Sequence, residues 1–146
     1  MNEMDDAFKG CLEEGRLAKI PVQQDLIQKE MNAARSDLKT AQESAAEGKH
    51  KWATVQAYYS MFHAAKALVL SKGYREKSHA CLVIALRNLF IETGLLETKH
   101  YNHFRDCMHL RQDADYGLTY SPTSAQQTLD WAKQFIDETD KQLKTV

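Results

Sequence analysis

The stretch LRQDADYG, residues 110–117, gathers Arg111, Asp113, Asp115 and Tyr116 within two helical turns, just before a glycine. Charge at that density either pairs internally or forms an edge that handles anions such as phosphate. On a continuous helix the residue facing Arg111 is Asp115, four along. An exposed pair of that kind contributes only about 0.3–0.5 kcal/mol.

A second polar line runs through KWATVQAYYSMFHAAKALVLSKGY, residues 51–74. Gln56, Tyr59, His63 and Lys66 recur at three and four, so they form one ridge on an otherwise apolar helix. Such a ridge either satisfies internal hydrogen bonds or lines a site. His100, His103 and Cys107 also share a helix face, but no fourth ligand stands nearby, and no metal is expected. Lys66, Lys72, Arg75 and Lys77 cluster around the turn after residue 72. The plain reading is a solvated loop; beside Arg111 they would make a local phosphate track. The chain has no glycine-rich phosphate loop, no GxSxG and no Walker pattern.

The elements that must position these groups are helices. Apolar residues recur at three and four throughout, and no strand-like alternation is found. The pattern predicts helices over 3–18, 22–47, 50–72, 79–93, 97–116 and 123–143. Ile20-Pro21 closes the first, since the residue before proline disfavours helix. Gly48, Gly73 and Gly94 close the next three. Ser78 is the expected N-cap of 79–93, and Thr123 with Gln126 has capping-box spacing. Tyr58, Met61, Phe62, Ala65, Leu68 and Val69 give helix 50–72 a wide apolar face, placing it at the centre. About five helices with short turns predict an all-α, antiparallel up-and-down bundle. The expected organisation is an N-terminal extension, 1–20, and a bundle domain, 21–146.

The chain has 146 residues, a net charge of −1 and 27% charged residues, ordinary for one soluble domain. That balance excludes a general nucleic-acid coat, so any such site must be local. Cys11, Cys81 and Cys107 are widely spaced with no CxxC pair, and read as reduced thiols, Cys81 as core filler. The acidic start MNEMDDAFKGCLEEG is no signal peptide, and no apolar run is long enough to span a bilayer. The expectation is a cytoplasmic protein.

AYYSMFHAAKALVLSKGYREKSH, residues 57–79, resembles the signature of the HEPN domain family, small helical domains of prokaryotic defence and toxin–antitoxin systems. FIETGLLETKHYNHFRDCMHLRQDADYG, residues 90–117, resembles the second half of those domains, in the subgroup reading R-x-x-A-D-Y-G. The resemblance covers roughly residues 25–143 and leaves about the first 20 unexplained.

Many HEPN proteins are metal-independent ribonucleases whose Arg-polar…His motif meets its copy across a homodimer interface. The resemblance therefore implies that Arg111 holds phosphate, through a planar fork that never deprotonates. Gln112 takes the polar position and Tyr116 stands where the motif has His. A free phenol has a pKa near 10, so only about one in a thousand is ionised at neutral pH. Tyr116 can donate to phosphate but is a poor base, and another His must stand in. His63 is the first choice, His79 the second and His109 the third. Arg111, Tyr116 and His63 are thus the catalytic candidates, with Tyr59, Lys66, His79, Gln112 and Asp115 as binding candidates.

The missing His favours a binding role over catalysis. The expected function is a HEPN protein of a toxin–antitoxin or defence-type system. It would bind RNA or nucleotide at a dimer-interface site and work with a MNT-type nucleotidyltransferase, with no cofactor. A ribonuclease toxin and a non-catalytic helical adaptor are the alternatives.

Overall fold

The computed structural model describes residues 5–115 and 121–144, with side chains through residue 111 and again from 121. In chain order the elements are α1 (Asp6–Glu13), β1 (Leu17–Lys19), α2 (Gln24–Ala46), α3 (His50–Ser71), β2 (Tyr74–Glu76) and α4 (His79–Leu86). A π-helical turn (Arg87–Ile91), α5 (Thr98–Asp115) and α6 (Pro122–Lys144) follow. The architecture is the expected all-α bundle.

α3 is the centre because its apolar residues leave little polar circumference. Tyr58, Met61, Ala64, Ala65, Ala67 and Leu68 are fully buried. α2, α5 and α6 surround it. Small residues let α2 approach closely, with Ala34 and Ala41 fully buried on the seam. An aromatic series ties α5 across the core: Tyr58 stacks on Phe104 at 5.8 Å, and Phe104 meets Phe135 of α6 at 5.7 Å.

Five expectations are corrected. The helix expected over 3–18 stops at Glu13, because Gly15 turns the chain at φ +73°. Leu17, Ala18 and Lys19 then pair antiparallel with Glu76, Arg75 and Tyr74, so the loop carrying Arg75 begins as a strand. Three-residue strands are too short to show alternation. Gly73 opens this strand pair at φ +82°; a Cβ there would meet the Ile20 carbonyl oxygen at 3.1 Å.

The thiols also depart from expectation. Cys11 and Cys81, both buried, form a disulfide joining α1 to α4. Spacing along the chain could not show this, since the strand pair brings the two segments together. Only Cys107 is a free thiol, and it is buried.

The segment expected as one helix over 79–93 is α-helical only to Leu86 and continues as the π turn. Ser78 does cap α4, accepting from the Cys81 N–H at 3.1 Å. For α6 the cap is Ser121, which accepts from the Ser124 N–H at 3.0 Å, rather than Thr123. Pro122 then takes the first helical position, where a missing N–H costs nothing.

Candidate functional site

Three elements converge on Arg111. On α5 the inward face reads Phe104, Cys107 and Arg111 at three and four, so the turn that buries Phe104 also aims Arg111 at α3. Its guanidinium carbon lies 5.4 Å from the Tyr58 ring centroid and 5.7 Å from that of Tyr59. Contacts of this kind contribute about 0.5–2 kcal/mol, more as water is excluded. Burial pushes the Tyr58 phenol up to about 12, although the Arg111 charge pulls the other way. Tyr58 is therefore a neutral platform and not a base.

His79, the first residue of α4, is largely exposed and lays its ring on Phe62, centroids 4.6 Å apart. Its pKa lies below 6.5, first because one side is desolvated, then because Arg111 and Lys66 repel a second positive charge. Arg111, Lys66, Tyr59 and His79 thus occupy one electrostatic neighbourhood. At neutral pH its imidazole is uncharged and able to accept a proton.

His63 is placed otherwise. Its Nδ1 lies 2.8 Å from Glu30 Oε2, and its Nε2 lies 3.5 Å from Asp37 Oδ2, both on α2. Burial would raise Glu30, but the His63 hydrogen bond and the Lys66 charge hold it below the usual carboxylate value. Asp37 moves up, burial outweighing His63. Glu30 is accordingly the ionised partner.

The rest of the ridge is also tied down. Lys66 Nζ lies 3.5 Å from Glu30 and 3.9 Å from Glu76, and 5.4 Å from the Phe62 centroid. Gln56 accepts from Ser44 of α2 at 2.7 Å. The ridge therefore divides: Gln56, His63 and Lys66 pair with carboxylates or a hydroxyl, while Tyr59 packs under Arg111.

Tyr116 lies outside the described residues, as do the side chains of Gln112 and Asp115. The basic turn disperses: Lys72 stacks over Phe90 at 5.5 Å, and Arg75 and Lys77 are exposed. On the face shared by His100, His103 and Cys107, His103 stacks on Trp131 at 4.2 Å, and burial pushes the Cys107 thiol up to about 12. A thiol so disfavoured as thiolate is core material.

Glu30, Asp37 and Tyr58 join this arrangement without having been candidates from the residues alone. Glu30 and Asp37 are seven apart on α2, beside the buried Ile27, Ala34 and Ala41, a signal visible in the heptad spacing.

The HEPN domain profile matches residues 27–142. Two Methanocaldococcus jannaschii proteins, each named "Putative toxin", are 34% and 30% identical to this chain over 96 residues. Those alignments cover 64% of this chain, and 71% and 65% of the relatives. A "UPF0332 protein" of Pyrococcus horikoshii is 32% identical over 87 residues, covering 58% of this chain and 61% of its own length. No helix among the described residues is long and apolar enough to cross a membrane. With the profile spanning most of the bundle, this chain belongs to the HEPN domain family.

Proposed function

We propose that this chain is a toxin-type HEPN protein that binds RNA or a nucleotide through a phosphate held at Arg111. A second copy completes the site, and a MNT-type nucleotidyltransferase is the partner protein. The observation carrying this reading is the Arg111 guanidinium seated over Tyr58 and Tyr59, with the His79 ring in its field. Stacking orients the planar fork, whose edge N–H groups are the donors that address phosphate oxygens. Family membership and the two relatives named as toxins support the toxin class.

A second reading, metal-independent RNA cleavage, is favoured by one observation: His79 is neutral near a fixed cation. His79 would take the proton of a ribose 2′-OH, and that oxygen would attack the adjacent phosphorus. The bond to the 5′-oxygen breaks, water protonates that oxygen, and a 2′,3′-cyclic phosphate remains. Arg111 would hold the added negative charge. His79 replaces His63 as the base in this reading, because both His63 nitrogens face carboxylates.

Incubating the purified chain with total RNA, alongside Arg111→Ala and His79→Ala, separates the two readings. Binding without cleavage, lost in Arg111→Ala, supports the first. Cleavage lost in both variants supports the second. Binding and cleavage that survive equally in both variants remove the site.

A further inference from the structure

Beside the Arg111–His79 neighbourhood, a groove of 310 Å³ runs between α4 and α5. Its floor is Ala80, Val83, Ile84 and Met108. Arg87, Arg105 and His109 stand around it, and no carboxylate lines it among the described residues. Arg87 is already committed to Asp5 at 2.6 Å and Glu92 at 3.6 Å. Arg105 is different: it is exposed and lies 5.6 Å over the Tyr101 ring, which holds it at the groove wall. The groove adjoins the site through the chain itself. Ala80 follows His79 on α4, and Met108 sits one turn before Arg111 on α5.

The geometry points to the α4–α5 groove as the binding track for single-stranded RNA beyond the phosphate held at Arg111. Arg105 and His109 follow the backbone, and the neighbouring bases cover the apolar floor. This rests on the reading of Arg111 as a phosphate-binding residue. An anionic strand with apolar base faces matches a groove that is apolar below and carries the exposed Arg105 guanidinium above, with the His109 ring as a further hydrogen-bonding group. A second copy matches it less well, because a two-fold contact centred there sets the Arg105 charge against its own copy.

The test compares uridine 5′-monophosphate with oligouridylates of two, four and eight nucleotides, binding the full chain. Variants are Arg105→Glu, exposed and so tolerated by the fold, and Val83→Asp on the floor, with circular dichroism as the folding check. In the unaltered chain, affinity rises with length. Arg105→Glu and Val83→Asp should each remove about tenfold of that gain while leaving mononucleotide binding unchanged. Arg105→Ala should lower the slope of log affinity against log salt by about 0.7, one phosphate contact on a single strand.

A length gain that survives in both groove variants overturns the inference and leaves Arg111 untouched. Loss of a dimer on light scattering in either groove variant also overturns the inference, because it assigns the groove to a second copy. Absence of any nucleotide binding by the unaltered chain removes the Arg111 reading and this inference together.

Discussion

Arg111 lies with its guanidinium carbon 5.4 Å from the ring centroid of Tyr58, a side chain with no solvent exposure. The cation is therefore held by the innermost helix of the bundle through a rigid ring. Tyr59 supplies a second, half-buried face at 5.7 Å. Replacing Tyr59 by Leu keeps bulk and removes that face. Stability in urea should fall by about 0.5–1 kcal/mol, and nucleotide affinity should fall with it. Unchanged affinity would mean that Tyr59 does not orient Arg111.

His79 should titrate below 6.5, since burial and then the Arg111 and Lys66 charges disfavour its protonated form. Lys66→Gln removes one of those charges, so the midpoint followed by proton NMR should rise. If the chain cleaves RNA, the rate should stay level through neutral pH and fall only below about 6.5, where His79 protonates. A midpoint that stays put or falls in Lys66→Gln would separate His79 from this neighbourhood.

The α5–α6 seam carries its own pH response. His100 and His103 are both shifted below 6.5 by burial, which at His100 outweighs the opposing Glu138 carboxylate. Well above 6.5 these imidazoles are neutral whether folded or unfolded, and they add no pH dependence. As pH falls below 6.5 the unfolded chain binds protons first, so stability drops until the folded histidines also protonate. His103→Phe keeps a ring against Trp131 and should flatten the acid limb of a urea-midpoint profile. An equally steep limb in that variant would place the effect elsewhere.

The Cys11–Cys81 disulfide closes a loop with a sequence separation of 70. Loop-closure entropy gives such a cross-link about 4 kcal/mol of stabilisation, and measured effects are commonly about 2–4. Cys11→Ser should lower stability by that order, and reductant should lower the unaltered chain similarly. Free-thiol counting by mass in denaturant checks the assignment: one alkylated cysteine without reductant and three with it. Three without reductant would show the pair unbonded.

How far these features could be read in the residues depends on their range. The burial of α3 was legible, because its apolar residues occupy most of the circumference. The Ser78 cap was legible, being a local hydrogen bond within four residues. The stop of α1 at Gly15 was not, since an isolated glycine inside a helical pattern is often tolerated. Three-residue strands likewise leave no periodic trace. At the site, Arg111 and Tyr59 could be picked out by type and spacing, but not Tyr58 as the second ring beneath the guanidinium, since that follows from how α5 packs on α3. His63 was the natural choice along its own ridge. Its commitment to Glu30 and Asp37 follows from how α2 packs on α3, which spacing within one helix does not contain.

The most direct measurement is fluorescence anisotropy of a labelled oligouridylate titrated with the unaltered chain and with Arg111→Ala, at fixed low salt. Exposed Lys133→Ala on α6 serves as a charge-matched control. A fixed guanidinium at the centre of an anion site predicts at least about a tenfold loss in Arg111→Ala, with the control within about twofold. Equal affinity for the unaltered chain and Arg111→Ala would contradict it.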